Sequence, residues 1–342
     1  VTARPEIVSV DAAAPDADVI ARAAAVIRAG GLVAMPTETV YGLAGNALDP
    51  ASIARIYAAK GRPATNPLIA HVADAVQAQT LAAEWPTMAR ALAERFWPGP
   101  LTLVVRRKAL VPTDLTAGLD TFGVRVPDHP VALALIRASG VPLAAPSANR
   151  YTEVSPVTAA QVARGLGAAV DMILDAGHTR VGIESTVVDV SAGRPMLLRP
   201  GMITQQALEA VVGPVSRHRS GLHDDAPQPA PGMAARHYAP RARVELVPMN
   251  GLRTALSTAR SATQAGTEPE RIGCLVHTHV VPDGLAFARQ LPDTPDGYAS
   301  ALYDGLHDAD AAGCTRLLIE DVPVDSAWDA IRDRLTRAAH PQ

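Results

Sequence analysis

Cysteine, lysine, asparagine and phenylalanine are all scarce in this chain of 342 residues. The two cysteines, Cys274 and Cys314, are too few for a disulfide framework. No run of about 18 apolar residues occurs, so no membrane span is expected. The net charge of −3 excludes a strongly basic nucleic-acid binder. The phosphate-binding pattern GxxxxGK followed by Ser or Thr is absent, and "GLGAAV" at Gly165 lacks the last glycine of a dinucleotide fingerprint. The opening "VTARPEIVSVDAAAPDADVI" has no basic-then-apolar order, so it does not read as a signal peptide. A soluble cytoplasmic protein is expected.

Of 31 basic residues only Lys60 and Lys108 are lysine, and Asn46, Asn66, Asn149 and Asn250 are the four asparagines. In a chain that writes Arg and Ala almost everywhere, rare residues are informative, because drift would tend to replace them. "KGRPATNPLIAH" keeps a Lys, an Arg and an Asn within seven residues. A compact ammonium and a planar guanidinium do different work on phosphate. The plainer reading of Lys60 is a surface charge at a helix C-terminus.

Length suggests two domains. Strand-like and helix-like segments alternate from the start. "GLVAMPT" reads as a strand and "DPASIARIYAAKG" as a helix with Asp49 as N-cap, Pro50 in the first turn and Gly61 as the stop. "PLIAHV", "LTLVVRR", "FGVRVP", "PLAAP", "DMILDAG", "STVVDVS" and "PMLLRPG" read as further strands. A mixed α/β domain over residues 1–213 is expected. Residues 214–240 are proline-rich and patternless, a linker. Residues 241–342 then read as a small α/β domain of the doubly wound type, with strands "ARVELVPM", "RIGCLVHT" and "TRLLIEDVP" and a closing helix "DSAWDAIRDRLTRAAH". Residues 1–240 carry 21 basic and 20 acidic side chains and residues 241–342 carry 10 and 14, so anions fit the first part better.

Three more stretches could carry chemistry. In "PLAAPSANRYTEVSP", Ser147 and Asn149 follow a buried strand on one side of it; the alternative is a turn built by Ser and Asn. "MPTETVYGLAGNA" closes a strand with Thr37, Glu38 and Thr39, then supplies Gly42 and Gly45 for close backbone approach, or merely turns the chain. "GIESTVVDV" brings Glu184, Ser185 and Thr186 to a strand start.

Together with "FWPGPLTLVV", "GVRVPDHP", "LLRPG" and "APGMAARHYAP", these stretches resemble, in order and over essentially the whole chain, the threonylcarbamoyl-AMP synthases in their two-domain form. The resemblance implies a YrdC-like catalytic domain with a mixed twisted sheet, a linker, and a small Rossmann-like C-terminal domain. It implies synthesis of threonylcarbamoyl-AMP from L-threonine, bicarbonate or CO2, and ATP, with release of pyrophosphate. The product would serve modification of the tRNA adenosine beside the anticodon, through a downstream transferase complex. Direct tRNA contact is allowed but not required.

By the same resemblance Lys60 and Arg62 would be catalytic. These two, with Ser147 and Asn149, match the basic-polar set around the nucleotide, and Asn66, Thr121, Ser155, Arg199 and Tyr238 match other ATP-contacting positions. Thr39, His71, Arg125, Ala145 and Ser185 match the L-threonine pocket. Mg2+ would ride on the phosphates, without a dedicated protein cage. Ala234 and Ala235 depart from the Lys and aromatic that the linker motif often carries. The linker's first half, "PVSRHRSGLHDDAPQP", reads as mobile, and residues 230–240 as a lid that brings Tyr238 near the nucleotide.

Two rival readings draw on the same residues: a non-catalytic RNA-binding module, disfavoured by the near-neutral residues 1–240, and a carbamoyl transferase of hydrogenase maturation, whose extra domains and zinc-finger cysteines are missing. "CLVHTH" could pair His277 and His279 on a metal or simply end a strand in polar residues. "YDGLHDADAAG" lacks calcium-loop spacing and reads as a solvated helix face.

Overall fold

Helix α2 (Pro50–Lys60) forms as its punctuation demands. The Asp49 side chain accepts from the N–H groups of Ala51 and Ser52, and Gly61 ends the helix in the left-handed region at φ 61°. Ile53 and Ile56 face inward, so the helix is anchored and its last residue, Lys60, is delivered to one place. The computed structural model describes residues 5–218, 228–248, 251–264, 270–281 and 283–341. The half-linker "PVSRHRSGLHDDAPQP", expected to be mobile, falls mostly outside the described residues.

The chain divides into two compact units. One joins Val1–Tyr151 with Ser155–Met233, the other Thr152–Val154 with Ala234–Gln342. The first is built, in order, from β1 (Glu6–Ser9), α1 (Ala17–Arg28), β2 (Val33–Met35), β3 (Gly42–Asn46), α2, β4 (Ile69–His71), α3 (Ala75–Leu81), α4 (Thr87–Phe96), β5 (Leu101–Arg106), β6 (Thr121–Arg125), α5 (Pro130–Ser139), β7 (Leu143–Ala144), α6 (Ala159–Leu166), β8 (Met172–Asp175), β9 (Thr186–Asp189), β10 (Met196–Arg199), α7 (Gln205–Val212) and β11 (Ser216–Arg217). Its eleven strands make one mixed sheet in the order β1-β8-β2-β3-β7-β4-β6-β5-β9-β10-β11.

The short strands at the sheet's centre are buried along their length, and two apolar clusters cover them. One gathers Tyr41, Ile53, Leu103 and Phe122; the other gathers Ile20, Ile27, Val33 and Leu135. Two registers fix His71 at the centre of the sheet. Parallel β4 and β6 set His71 opposite Arg125, and antiparallel β4 and β7 set His71 opposite Leu143.

The second unit has β12 (Arg243–Val247), α8 (Leu252–Gln264), β13 (Ile272–Val276), β14 (Phe287–Gln290), α9 (Pro295–Ala311), β15 (Arg316–Glu320) and α10 (Asp329–Ala338). Its four strands are all parallel, in the order β12-β15-β13-β14.

The first unit runs past the expected end at Gly213. β11 pairs with β10, and Ala230 and Met233 are buried against Val104, Val187 and Leu198. Small apolar residues between prolines have no periodicity to read, yet they bury. The "YDGLHDADAAG" stretch belongs to α9, which is more than a solvated face, because Tyr303, Leu306 and Ala309 are buried at helical spacing among the acids. In "CLVHTH" the strand stops at Val276, so His277 and His279 do not share a strand face. His277 instead packs beside Tyr298 and Trp328, and His279 Nδ1 lies 2.8 Å from the Glu320 carboxylate.

Candidate active site

Lys60 closes α2 with its side chain turned inward, 2% exposed. Its Nζ donates to the carbonyls of Ser147 and Asn149, each at 2.6 Å, while its own carbonyl accepts from Tyr151 N–H at 2.8 Å. The loop after β7 is thereby tied to the end of α2. Gly42 lets that loop lie close to the start of β3. A Cβ there would meet Ala145 Cβ at 3.2 Å, and Gly42 and Ser147 form a bridge.

Arg62 lies just past the helix stop. Its Nε and Nη2 donate to the Asn66 carbonyl and side-chain oxygens at 3.0 and 2.5 Å, and Nη2 to the Pro67 carbonyl at 2.7 Å. The Asn66 amide donates to Tyr151 Oη, whose ring lies under the Arg62 guanidinium. Lys60, Arg62, Asn66, Ser147 and Asn149 are thus one hydrogen-bonded group, with Tyr151 as a member the sequence reading missed. No local signal marks it, because the Arg62 that faces its ring lies 89 residues away in sequence.

A second group surrounds Arg125. Its Nε donates to the Gly99 carbonyl and its Nη2 to Thr39 Oγ1, both at 3.1 Å, and Nη2 lies 2.6 Å from Glu38 Oε1. Thr39 Oγ1 also shares a hydrogen bond with Thr37 Oγ1 at 2.8 Å. Burial, with the Arg125 charge next, pushes the neighbouring His71 down to about 3. It is therefore neutral at physiological pH, and its Nδ1 has no hydrogen-bond partner among the described residues. Ala145 is nearby in the fold, its N–H bonded to the Ile69 carbonyl at 3.2 Å.

A third group holds Ser185. Its hydroxyl bonds Thr102 Oγ1 at 2.8 Å and accepts from Arg199 Nη2 at 3.1 Å. Arg199 also reaches the Ser185 and Pro231 carbonyls, each at 3.1 Å. Ser155 Oγ donates to Glu184 Oε1 at 2.5 Å. Thr102 was not singled out by sequence, although a lone hydroxyl in the apolar run "LTLVV" marks it.

Two further site candidates are placed by other elements. Thr121 opens β6, opposite Arg106 and four residues before Arg125. Tyr238 belongs to the second unit, fully buried between Tyr303, 6.0 Å away by ring centroid, and Arg334, whose guanidinium lies 4.9 Å over its ring.

One electrostatic fact unites the three groups. Among the described residues of the first unit, every buried Lys, Arg, Asp or Glu side chain is Glu38, Lys60, Arg62, Arg125, Glu184 or Arg199. Four cations against two carboxylates leave the interior here at +2. Burying charge is costly, so a set of buried charges shared among these three polar groups points to a functional site, and their sign calls for anions.

Comparison with known proteins agrees with this anion-seeking interior. Residues 25–201 match the family model described as Telomere recombination, and residues 203–340 match the threonylcarbamoyl-AMP synthase C-terminal domain. Threonylcarbamoyl-AMP synthase of Pyrococcus abyssi is 42% identical over 93% of both chains. The Bacillus subtilis enzyme of the same name is 42% identical over 94% of this chain and 92% of its own. The chain belongs to the threonylcarbamoyl-AMP synthase family. The chain is a nucleotidyltransferase in the two-domain form, of mixed α/β build. The crystal structure of P. abyssi Sua5 complexed with L-threonine superposes with a TM-score of 0.90 at 40% identity, covering 97% of each chain. Among the described residues no helix is long and apolar enough to cross a membrane.

Proposed function

We propose that the buried polar interior of the first unit binds ATP and L-threonine side by side and makes threonylcarbamoyl-AMP. The observation that carries this is that all six buried charges of that unit, +2 in sum, belong to the three hydrogen-bonded groups that hold the expected site residues. The Lys60, Arg62, Asn66, Ser147 and Asn149 group takes the nucleotide, with Ser155, Arg199 and Thr121. The Thr39, His71, Arg125, Ala145 and Ser185 positions take threonine. Tyr238 is assigned to ATP by resemblance alone.

The chemistry asks for positioning and charge stabilisation more than for a nucleophile in the protein. The threonine ammonium gives up a proton to solvent, and the resulting amine attacks CO2 and sheds a second proton to form a carbamate. A carbamate oxygen then attacks the α-phosphorus, and the bond to pyrophosphate breaks. Lys60 and Arg62 neutralise phosphate oxygens as charge develops there. Arg125 offers a fork to the amino-acid carboxylate. Neutral His71 offers a hydrogen-bonding nitrogen without adding repulsion.

Among the described residues no three His, Cys, Asp or Glu side chains gather as a metal cage. A Mg2+ ion would enter on the ATP phosphates and be held chiefly by them and by water. A downstream transferase that carries the threonylcarbamoyl group to tRNA, and a cytoplasmic setting, complete the reading.

Pyrophosphate release from ATP should require L-threonine and bicarbonate together. Release that proceeds without either one would remove the assignment.

A further inference from the structure

Glu38 is a buried charge to which the synthase reading gives no task. It is 1% exposed and sits three residues past the end of β2. Arg125 Nη2 is 2.6 Å from its Oε1, yet neither carboxylate oxygen accepts an aligned hydrogen bond from any described residue. A buried carboxylate with so much acceptor capacity unused is expensive to keep. Glu320, buried in the second unit, shows the alternative, since backbone and hydroxyl donors surround it.

Arg125 and Glu38 therefore stand as a fixed plus beside a fixed minus, with Thr39 hydrogen-bonded to the first and an uncharged His71 across the register. A lone cation would accept any carboxylate. A close pair of opposite charges complements a molecule that carries both signs at short spacing, and it penalises one that carries only the anion. Of threonine, bicarbonate and ATP, threonine alone brings a cationic group. A divalent metal is the other cation a carboxylate could take. Arg125 at 2.6 Å repels it, and no group of three His, Cys, Asp or Glu side chains gathers among the described residues to hold it.

Granted the threonine reading of this pocket, we propose that Glu38 receives the α-ammonium group while Arg125 takes the carboxylate, so that the site recognises the amino-acid zwitterion and fixes the position of the nitrogen that becomes the carbamate. Glu38 is then a specificity-determining residue of the synthase, not a brace for Arg125.

The test is calorimetric titration of the full chain with L-threonine and with 3-hydroxybutyrate, which is threonine with its amine replaced by hydrogen. The unsubstituted protein should prefer threonine by about 100-fold or more, because a site built for a polar group rejects the analogue lacking it. Glu38→Gln keeps the size and removes the charge. It should lower threonine affinity roughly 30-fold while leaving 3-hydroxybutyrate equal or tighter, since Arg125 loses its internal partner. Glu38→Asp should recover part of the preference. Equal weakening of both ligands in Glu38→Gln would overturn the proposal and leave Glu38 a brace. So would a preference below about 5-fold in the unsubstituted chain, a result that needs no variant to fold. Absence of any threonine binding by the unsubstituted chain would instead bring down the threonine reading itself, and the role of Glu38 with it.

Discussion

The two units bury charge in opposite ways. The first shares four cations and two carboxylates among three hydrogen-bonded groups and leaves them at +2. The second buries Arg316, Glu320 and Arg334, and each is met by its own surroundings. Arg316 pairs with Glu245 and Glu270 at 2.6 and 3.2 Å, and Arg334 with Asp333 at 2.7 Å. Glu320 ends β15, at the carboxyl edge of a parallel sheet, where ligands bind in open α/β folds. There its carboxylate accepts from the His277 and Thr278 N–H groups and from the Thr278 hydroxyl. The loop donors that could have faced an external anion face an internal one. Buried charge by itself therefore does not mark a site; what sets the first unit apart is Glu38, a buried carboxylate whose oxygens accept no hydrogen bond from a described residue.

The comparison breaks most visibly at Lys60. Lys60→Ala should lower pyrophosphate release by about 10²–10³-fold, the usual loss when one preorganised donor goes, while circular dichroism stays that of a folded protein. Lys60→Arg should not rescue, because a planar fork does not sit between two converging carbonyls as an ammonium does. A large fall in melting temperature with near-normal turnover would mean that Lys60 is structural, like the buried charges of the second unit.

Glu320→Ala should do the reverse. It strands the buried N–H groups of His277 and Thr278, and should cost roughly 2–4 kcal/mol of stability. Hydrogen exchange should rise across residues 270–320 and not in the first unit's sheet. The pH dependence has a definite sign. Burial pushes the Glu320 carboxyl up, but hydrogen bonds from Thr278, the His277 and Thr278 N–H groups and His279 outweigh it and hold it at about 2, below the ordinary 4.5. A folded value below the unfolded one gives stability that is complete above about pH 4.5 and is lost as pH falls toward 2. Glu320→Gln should flatten that acid limb.

Helix α2 was readable from Asp49, Pro50 and Gly61 because capping is local chemistry, and Lys60 was conspicuous by composition. The ties from Lys60 to Ser147 and Asn149 could be guessed as a shared region but not as hydrogen bonds, because 87 and 89 residues of chain intervene. The Glu38–Arg125 pair was invisible for the same reason, with no spacing pattern to announce it. β14 was missed because "FARQ" is only partly buried and carries no alternation. The burial of Ala230 and Met233 against the first unit could not be read from sequence, because it is a tertiary event.

Smaller effects sharpen the picture inside the first unit. Activity with L-serine should fall modestly, since a lost methyl is worth about 1–3 kcal/mol, and activity with L-valine should fall further, since polar partners such as Thr39 and Ser185 are then unmatched. Thr102→Val should raise the KM for threonine only a few-fold, as one hydrogen bond to Ser185 is worth about 1 kcal/mol. His71 should show no titration by NMR between pH 5 and 8. Its folded value of about 3 lies below the unfolded 6.5, so the stability it lends is present above pH 6.5 and is lost as pH falls toward 3.

The scarcity of lysine gives this protein a built-in reporter. Lys108 is exposed, while Lys60 is 2% exposed with its ammonium enclosed by two carbonyls. An amine-reactive reagent should therefore modify Lys108 quickly and Lys60 only as fast as the interior around it opens. The ratio of the two acylation rates, read by mass spectrometry of the unaltered chain, would time that opening. Slowing of the Lys60 rate by ATP, by threonine, or only by both would show the order in which the reactants seal the site.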